Sequence, residues 1–124
     1  MNKYVVLVAK ALLSLVMIVF GVNKLSPFLP NPELSDPGGQ LFFQAMFGTY
    51  LATVVALGEI IGGILLWIKK FEVVGSLLLI PITFNIVAFH IAHDLAGMAP
   101  GLIVFLANML LLYNAKGKLS GLLH

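Results

Sequence analysis

One carboxylate stands inside an otherwise apolar run: Glu59, in GEIIGGILLW at residues 58–67, with Gly58, Gly62 and Gly63 beside it. An acid in such surroundings can exchange a proton or pair with a basic side chain, and either use requires that it turn away from lipid. Few other residues are suited to chemistry. Lys10 lies within the first apolar run, Asn23 and Lys24 close it, and Asn108 lies in the last one. The segment FHIAHD carries His90, His93 and Asp94, with Asn85 somewhat earlier. His90 and His93 are three apart and His90 and Asp94 four apart, so on a helix all three share one face. Two imidazoles and a carboxylate are a set of metal ligands. However, His93 and Asp94 end an apolar run, where water and lipid headgroups satisfy them, and no metal site is expected. His90 is the better functional candidate. It lies about one turn deeper, and an imidazole's ordinary pKa suits proton transfer near neutrality.

The elements that position these residues follow from composition. The chain has 124 residues, 60% hydrophobic and 10% charged, with a mean hydropathy of +1.08, far above a soluble domain. It reads as one all-α membrane domain. About 20 apolar residues cross the hydrocarbon core, and the sequence predicts four spans at about 4–22, 47–68, 73–92 and 96–114, with Pro100 in the first turn of the last, where a proline is tolerated. Short turns between the last three spans predict an up-down-up-down four-helix bundle.

Lys3, Lys69, Lys70, Lys116 and Lys118 fall on one side, Lys24, Glu33, Asp36 and Asp94 on the other. The positive-inside rule therefore puts both termini in the cytoplasm and the Pro- and Gly-rich loop 23–46 outside. Within that loop, residues 40–46 suit a short interfacial helix. The lysine before the first apolar run resembles a signal peptide, but the run is long and lacks a convincing cleavage site, so a retained span is expected.

Other function classes drop out. The net charge of +2 comes from seven scattered lysines with no arginine, which gives no stripe for tracking phosphates, and no nucleic-acid partner is expected. With no cysteine, the chain has no disulfide, thiol relay or iron–sulfur ligation. Electrons in any redox role must travel on another molecule.

Depth counting brings polar groups together. At 1.5 Å per residue from the inner end of each span, Lys10, Glu59 and Asn108 all lie roughly 9–14 Å deep. A Lys10–Glu59 ion pair with Asn108 in the same layer is the expectation, serving either as register-fixing glue or as a functional acid. Gly58 and Gly62 form a GxxxG, and Gly63 lies close to Glu59. This face admits either a neighbouring helix or a flat ligand. Pro81 is expected to bend the third span and widen a polar cleft beside Asn85.

GVNKL at 21–25, together with GEIIGGILL at 58–66, resembles the DoxX family of small four-helix bacterial membrane proteins, and the likeness runs over nearly the whole chain. Gly21, Lys24, Glu59, Gly62 and Gly63 match the family pattern. The resemblance implies the bacterial cytoplasmic membrane and a quinone-linked oxidoreductase system. In that setting the chain is a subunit or binding module that holds a lipophilic ligand between helices, with no covalent cofactor, quinone as candidate ligand, and Glu59, His90, Lys24, Asn85 and Asn23 as ligand or proton contacts. Expected partners are the lipid bilayer, the quinone or a lipid, a soluble or membrane oxidoreductase, and further copies of the chain. Two alternatives stand beside it: a small proton-coupled transporter with Glu59 alternating between proton and substrate, and a structural or assembly subunit without ligand.

Overall fold

The computed structural model describes residues 2–122. The described residues form helices and no strand: α1 (Lys3–Leu25), α2 (Pro37–Phe47), α3 (Leu51–Leu65), α4 (Glu72–His93), α5 (Met98–Asn114) and α6 (Lys116–Leu122), with single 3₁₀ turns at Lys69–Phe71 and Leu95–Gly97 and an irregular loop over 26–36. Segments Lys3–Leu25, Lys69–His93 and Leu95–Asn114 are each long and apolar enough to cross a membrane, and α2 with α3 makes a fourth if that bent pair is one span.

Local chemistry sets the ends. The Asn2 side chain accepts the Tyr4 N–H at the start of α1, and Asp36, followed by Pro37, accepts the Gly39 N–H at the start of α2. The expected span over 47–68 is broken near its beginning. α2 closes at Gly48, and α3 departs at 79° to it. Thr49 causes the break as much as the glycine does: its hydroxyl donates back to the Ala45 carbonyl and accepts the Leu51 N–H, so it ends one helix and starts the next. α3 alone, 15 residues, is about 22 Å long. Pro100 sits in the first turn of α5, and α4 continues through Pro81 without interruption.

α1, α3, α4 and α5 form a ring in which α1 packs on α3 and α5, and α4 on α3 and α5. Residue numbers run in opposite directions across the contacts. Gly21 meets Ala56 and Ile60 while Gly63 meets Ser14 and Ile18; Gly58 meets Ile82 while Gly75 meets Leu65 and Leu66. The core is Leu13, Met17, Leu66, Leu79, Val104 and Leu111 with small alanines between them. α2 lies against α4, where Phe42 and Phe43 pack on Phe89 at ring-centroid distances of 4.8 and 5.6 Å.

Candidate functional site

Glu59 is buried, with 1% of its surface exposed, but its partner is not Lys10. Lys24 Nζ lies 2.7 Å from Glu59 Oε1. Oε1 is fully buried and has no partner besides this ammonium among the described residues. The correction has a simple physical reason. Lys10 and Lys24 are fourteen residues apart and share nearly the same face of α1, so axial stagger alone decides which meets the acid. A Cβ on Gly21 would stand 3.3 Å from Glu59 Cβ, which sets Glu59 level with residue 21. Lys24 is then less than a turn away, and Lys10 about 16 Å away.

Lys10 pairs instead with Glu72, at 3.3 Å, and stacks over Trp67 at 5.5 Å from the ring centroid. Lys118 of α6 pairs with the same carboxylate, so Glu72 ties α1, α4 and α6 together at the end of the bundle where α4 begins. Trp67 Nε1 donates to Ser14 Oγ at 2.9 Å. A cavity of about 20 Å³ between Lys10, Glu72, Ser76 and Leu111 is room for about one water.

Asn108 joins neither charge. Its Oδ1 accepts from Ser76 Oγ at 2.5 Å, and its Nδ2 donates to Thr83 Oγ1 at 3.1 Å. Thr83 in turn donates to the Leu79 carbonyl at 3.1 Å. The amide, fully buried, is thus consumed in joining α5 to α4. Ser76 and Thr83 escape a search for ionisable residues, but their spacing of seven on one helix face opposite an asparagine is a legible signal.

The glycines beside the acid are occupied by helices. A Cβ on Gly62 would lie 2.7 Å from Leu79 of α4, and one on Gly63 would lie 2.8 Å from Ile18 of α1. No flat ligand fits that face. Gly58, with only Ile82 nearby, is the loosest of the three. A Cβ on Gly75 would lie 2.9 Å from both Gly62 O and Leu65 Cβ and 3.1 Å from Leu66 N, backbone and Cβ atoms that cannot turn aside as a side-chain tip can.

The polar residues at the loop 23–46 end of the bundle have separate partners. Asn23 Oδ1 accepts the Phe28 and Leu29 N–H groups, each at 2.8 Å, and so folds the start of the loop back over α1. His90 Nδ1 lies 3.2 Å from both the carbonyl oxygen and Oδ2 of Asp94. Both are acceptors, so Nδ1 carries the proton. His93 Nδ1 lies 2.7 Å from Asp36 Oδ2 and latches the head of α2 to the end of α4. The Gly39 N–H and then His93 hold the Asp36 carboxyl below its usual range. No hydrogen bond or ion pair joins His90 to Glu59 or Lys24 among the described residues. No group of three or more His, Asp or Glu is placed to hold a metal ion, again among the described residues.

Asn85 corrects a further expectation. It does not line a cleft inside the bundle: it is exposed on the outer face of α4, whereas Thr83, two residues before it, turns inward. The reason is angular, because two residues on a helix differ by about 200° in direction.

Among curated proteins and among solved structures, no significant match was found. The DoxX family model matches residues 5–94, from the first turn of α1 to the end of α4 and so across the Lys24–Glu59 pair, and this multi-pass membrane protein belongs to the DoxX family.

Proposed function

We propose that this protein is a four-span, up-down-up-down subunit of the bacterial cytoplasmic membrane, with both termini in the cytoplasm, that handles protons for a quinone-linked oxidoreductase through Lys24 and Glu59. The observation that carries the reading is a carboxylate 1% exposed, with an ammonium 2.7 Å away as the sole partner of that oxygen among the described residues. An ammonium–carboxylate pair and the amine–acid pair formed by a proton shift within it both have zero net charge. A proton can therefore shift between the two side chains without creating a net charge in apolar surroundings, and the pair exchanges protons with a ligand or water at the partly exposed Lys24 end.

Lys24 lies in the last turn of α1 with 16% of its side chain exposed, which gives the pair an opening on the loop side. Because helices fill the Gly62 and Gly63 faces, the reading brings a lipophilic ligand to Lys24 rather than against the glycines. Quinone chemistry moves protons together with electrons, and a chain without cysteine leaves the electrons to a partner oxidoreductase. The lysines at the inner turn and near the C-terminus support the orientation.

The test measures quinone-dependent oxidation in host membranes carrying Glu59→Gln or Lys24→Met at wild-type protein levels, with mass spectrometry of quinone co-purifying with the wild type. Loss of activity in both variants and bound quinone are expected. Unchanged activity together with no quinone would overturn the reading. A purely structural pair is favoured by the tight seating of Gly21 on Ala56 and Ile60 next to Glu59. Full activity in the double variant Lys24→Met/Glu59→Leu would identify that second case.

A further inference from the structure

We propose that the protein associates with a second copy of itself along the outer face of α4, with the two Asn85 amides bonded across the interface. Val74, Leu78, Pro81, Asn85, Ala88 and Ala92 recur on α4 at alternating intervals of four and three residues. That is the spacing of a seam between two helices wound about each other. It is also the face that packing within the chain leaves free. α4 meets α3 through Gly75 and Leu79, α5 through Ser76, Thr83 and Ile86, and α2 through Phe89 and His93 on the flank of this face. Ala88 is half-buried, and the other five seam residues are exposed.

Five of the six seam residues are apolar, as lipid requires, and Asn85 is the exception. It stands eight residues, about 12 Å, from the outer end of α4, well within the hydrocarbon if α4 spans the membrane. Glu72, Ser76, Thr83, His90 and His93 of the same helix have side-chain partners within the chain, whereas Asn85 has none among the described residues.

A carboxamide in hydrocarbon needs both a donor and an acceptor. Lipid tails offer neither, and a second Asn85 offers both. With every copy inserted in the sense that the lysines favour, a two-fold axis along the membrane normal sets α4 parallel to α4, and each seam position then faces its own counterpart. Ala88 and Ala92, four apart, allow the backbones to close up on the outer side of the amides. A single asparagine in such a seam fixes register and partner number. Another open surface, a groove of about 450 Å³ between α1 and α5 lined by residues such as Val8 and Leu106, is apolar except for Tyr4 in the first turn of α1.

The absence of cysteine makes the test direct, because any introduced thiol is unique. Full-length Leu78→Cys and Ala92→Cys proteins, in phosphatidylethanolamine–phosphatidylglycerol vesicles under mild oxidation, should each give a disulfide-linked dimer, while Val8→Cys and Leu106→Cys should not. Adding Asn85→Leu should weaken the dimer about 3- to 30-fold in dissociation constant, measured by energy transfer on dilution with lipid, and Asn85→Gln should restore part of it. Trp67 fluorescence checks that the variants fold. If Asn85→Leu does not fold, the four cysteine positions decide alone. A wild type that stays monomeric at high protein-to-lipid ratio, linking confined to Val8 and Leu106, or linking at Leu78 and Ala92 unaffected by Asn85→Leu would each overturn the proposal. None of these readouts depends on proton or quinone chemistry.

Discussion

Lys24 Nζ lies 2.7 Å from Glu59 Oε1 and ties the last turn of α1 to the middle of α3. Removing one member strands the other in a buried site. Lys24→Met or Glu59→Leu alone should cost about 3 kcal/mol, the lower part of the range for buried pairs because Lys24 keeps some access to water. The double variant should recover most of that loss. Thermal unfolding in detergent, followed by helical circular dichroism, gives the coupling, and additive losses would show that the two side chains do not act as a pair.

The glycines of the α3–α4 contact should differ in tolerance. Gly75→Ala meets backbone and Cβ atoms that cannot move aside, and a loss of about 1–3 kcal/mol is expected. Gly58→Ala meets only the tip of Ile82, 3.1 Å away, and gains up to about 1 kcal/mol of helix propensity. It should be neutral or stabilising. Denaturant titration of the two variants checks the order, and a Gly58→Ala protein weaker than Gly75→Ala would contradict the packing described.

Asn108→Leu removes both bonds from α5 to α4 but leaves Ser76 and Thr83 able to turn to carbonyls of their own helix. The expected loss is therefore about 1–2 kcal/mol. Hydrogen exchange should show it as faster opening of α5 than of α1. Equal acceleration in both helices would mean that the amide supports the bundle as a whole.

The Asp36–His93 latch should respond to acid in a defined direction. The folded protein holds the Asp36 carboxyl below its ordinary pKa, so the contribution is present above about pH 4, the unfolded value, and is lost as pH falls through the lower folded value. Exchange of the Gly39 amide, which Asp36 accepts, should stay protected at pH 5 and accelerate only below pH 4. In Asp36→Asn, much of that acid dependence should disappear. A Gly39 amide already fast at pH 6 would argue against the latch.

Hydropathy and lysine placement were enough to read an all-helical chain with several membrane-length runs, because hydrocarbon admits few ways to satisfy a backbone. The match of GVNKL and GEIIGGILL to one family was legible for a related reason, since it is carried by residue types at fixed spacing. Thr49 was not legible as a break. A threonine in an apolar run usually continues the helix, and here it bonds backward and forward at once.

Pairing inside the bundle needed the third dimension. The sequence determined that Glu59 would turn away from lipid, and depth counting pointed to Lys10 as its partner, although Lys24 lies on nearly the same face of α1. Only the tertiary structure decided between them, because the choice rests on how far α1 slides along α3. That slide is fixed by Gly21 settling on Ala56 and Ile60, and Gly63 on Ser14 and Ile18. Likewise the sequence put Asn85 at membrane depth, but which way it faced depended on the rotation of α4, set by Gly75, Ser76, Leu79 and Thr83 turning inward. Periodicity fixes how residues lie along and around one helix, and the offset between two helices follows from close packing of small side chains that no single segment contains.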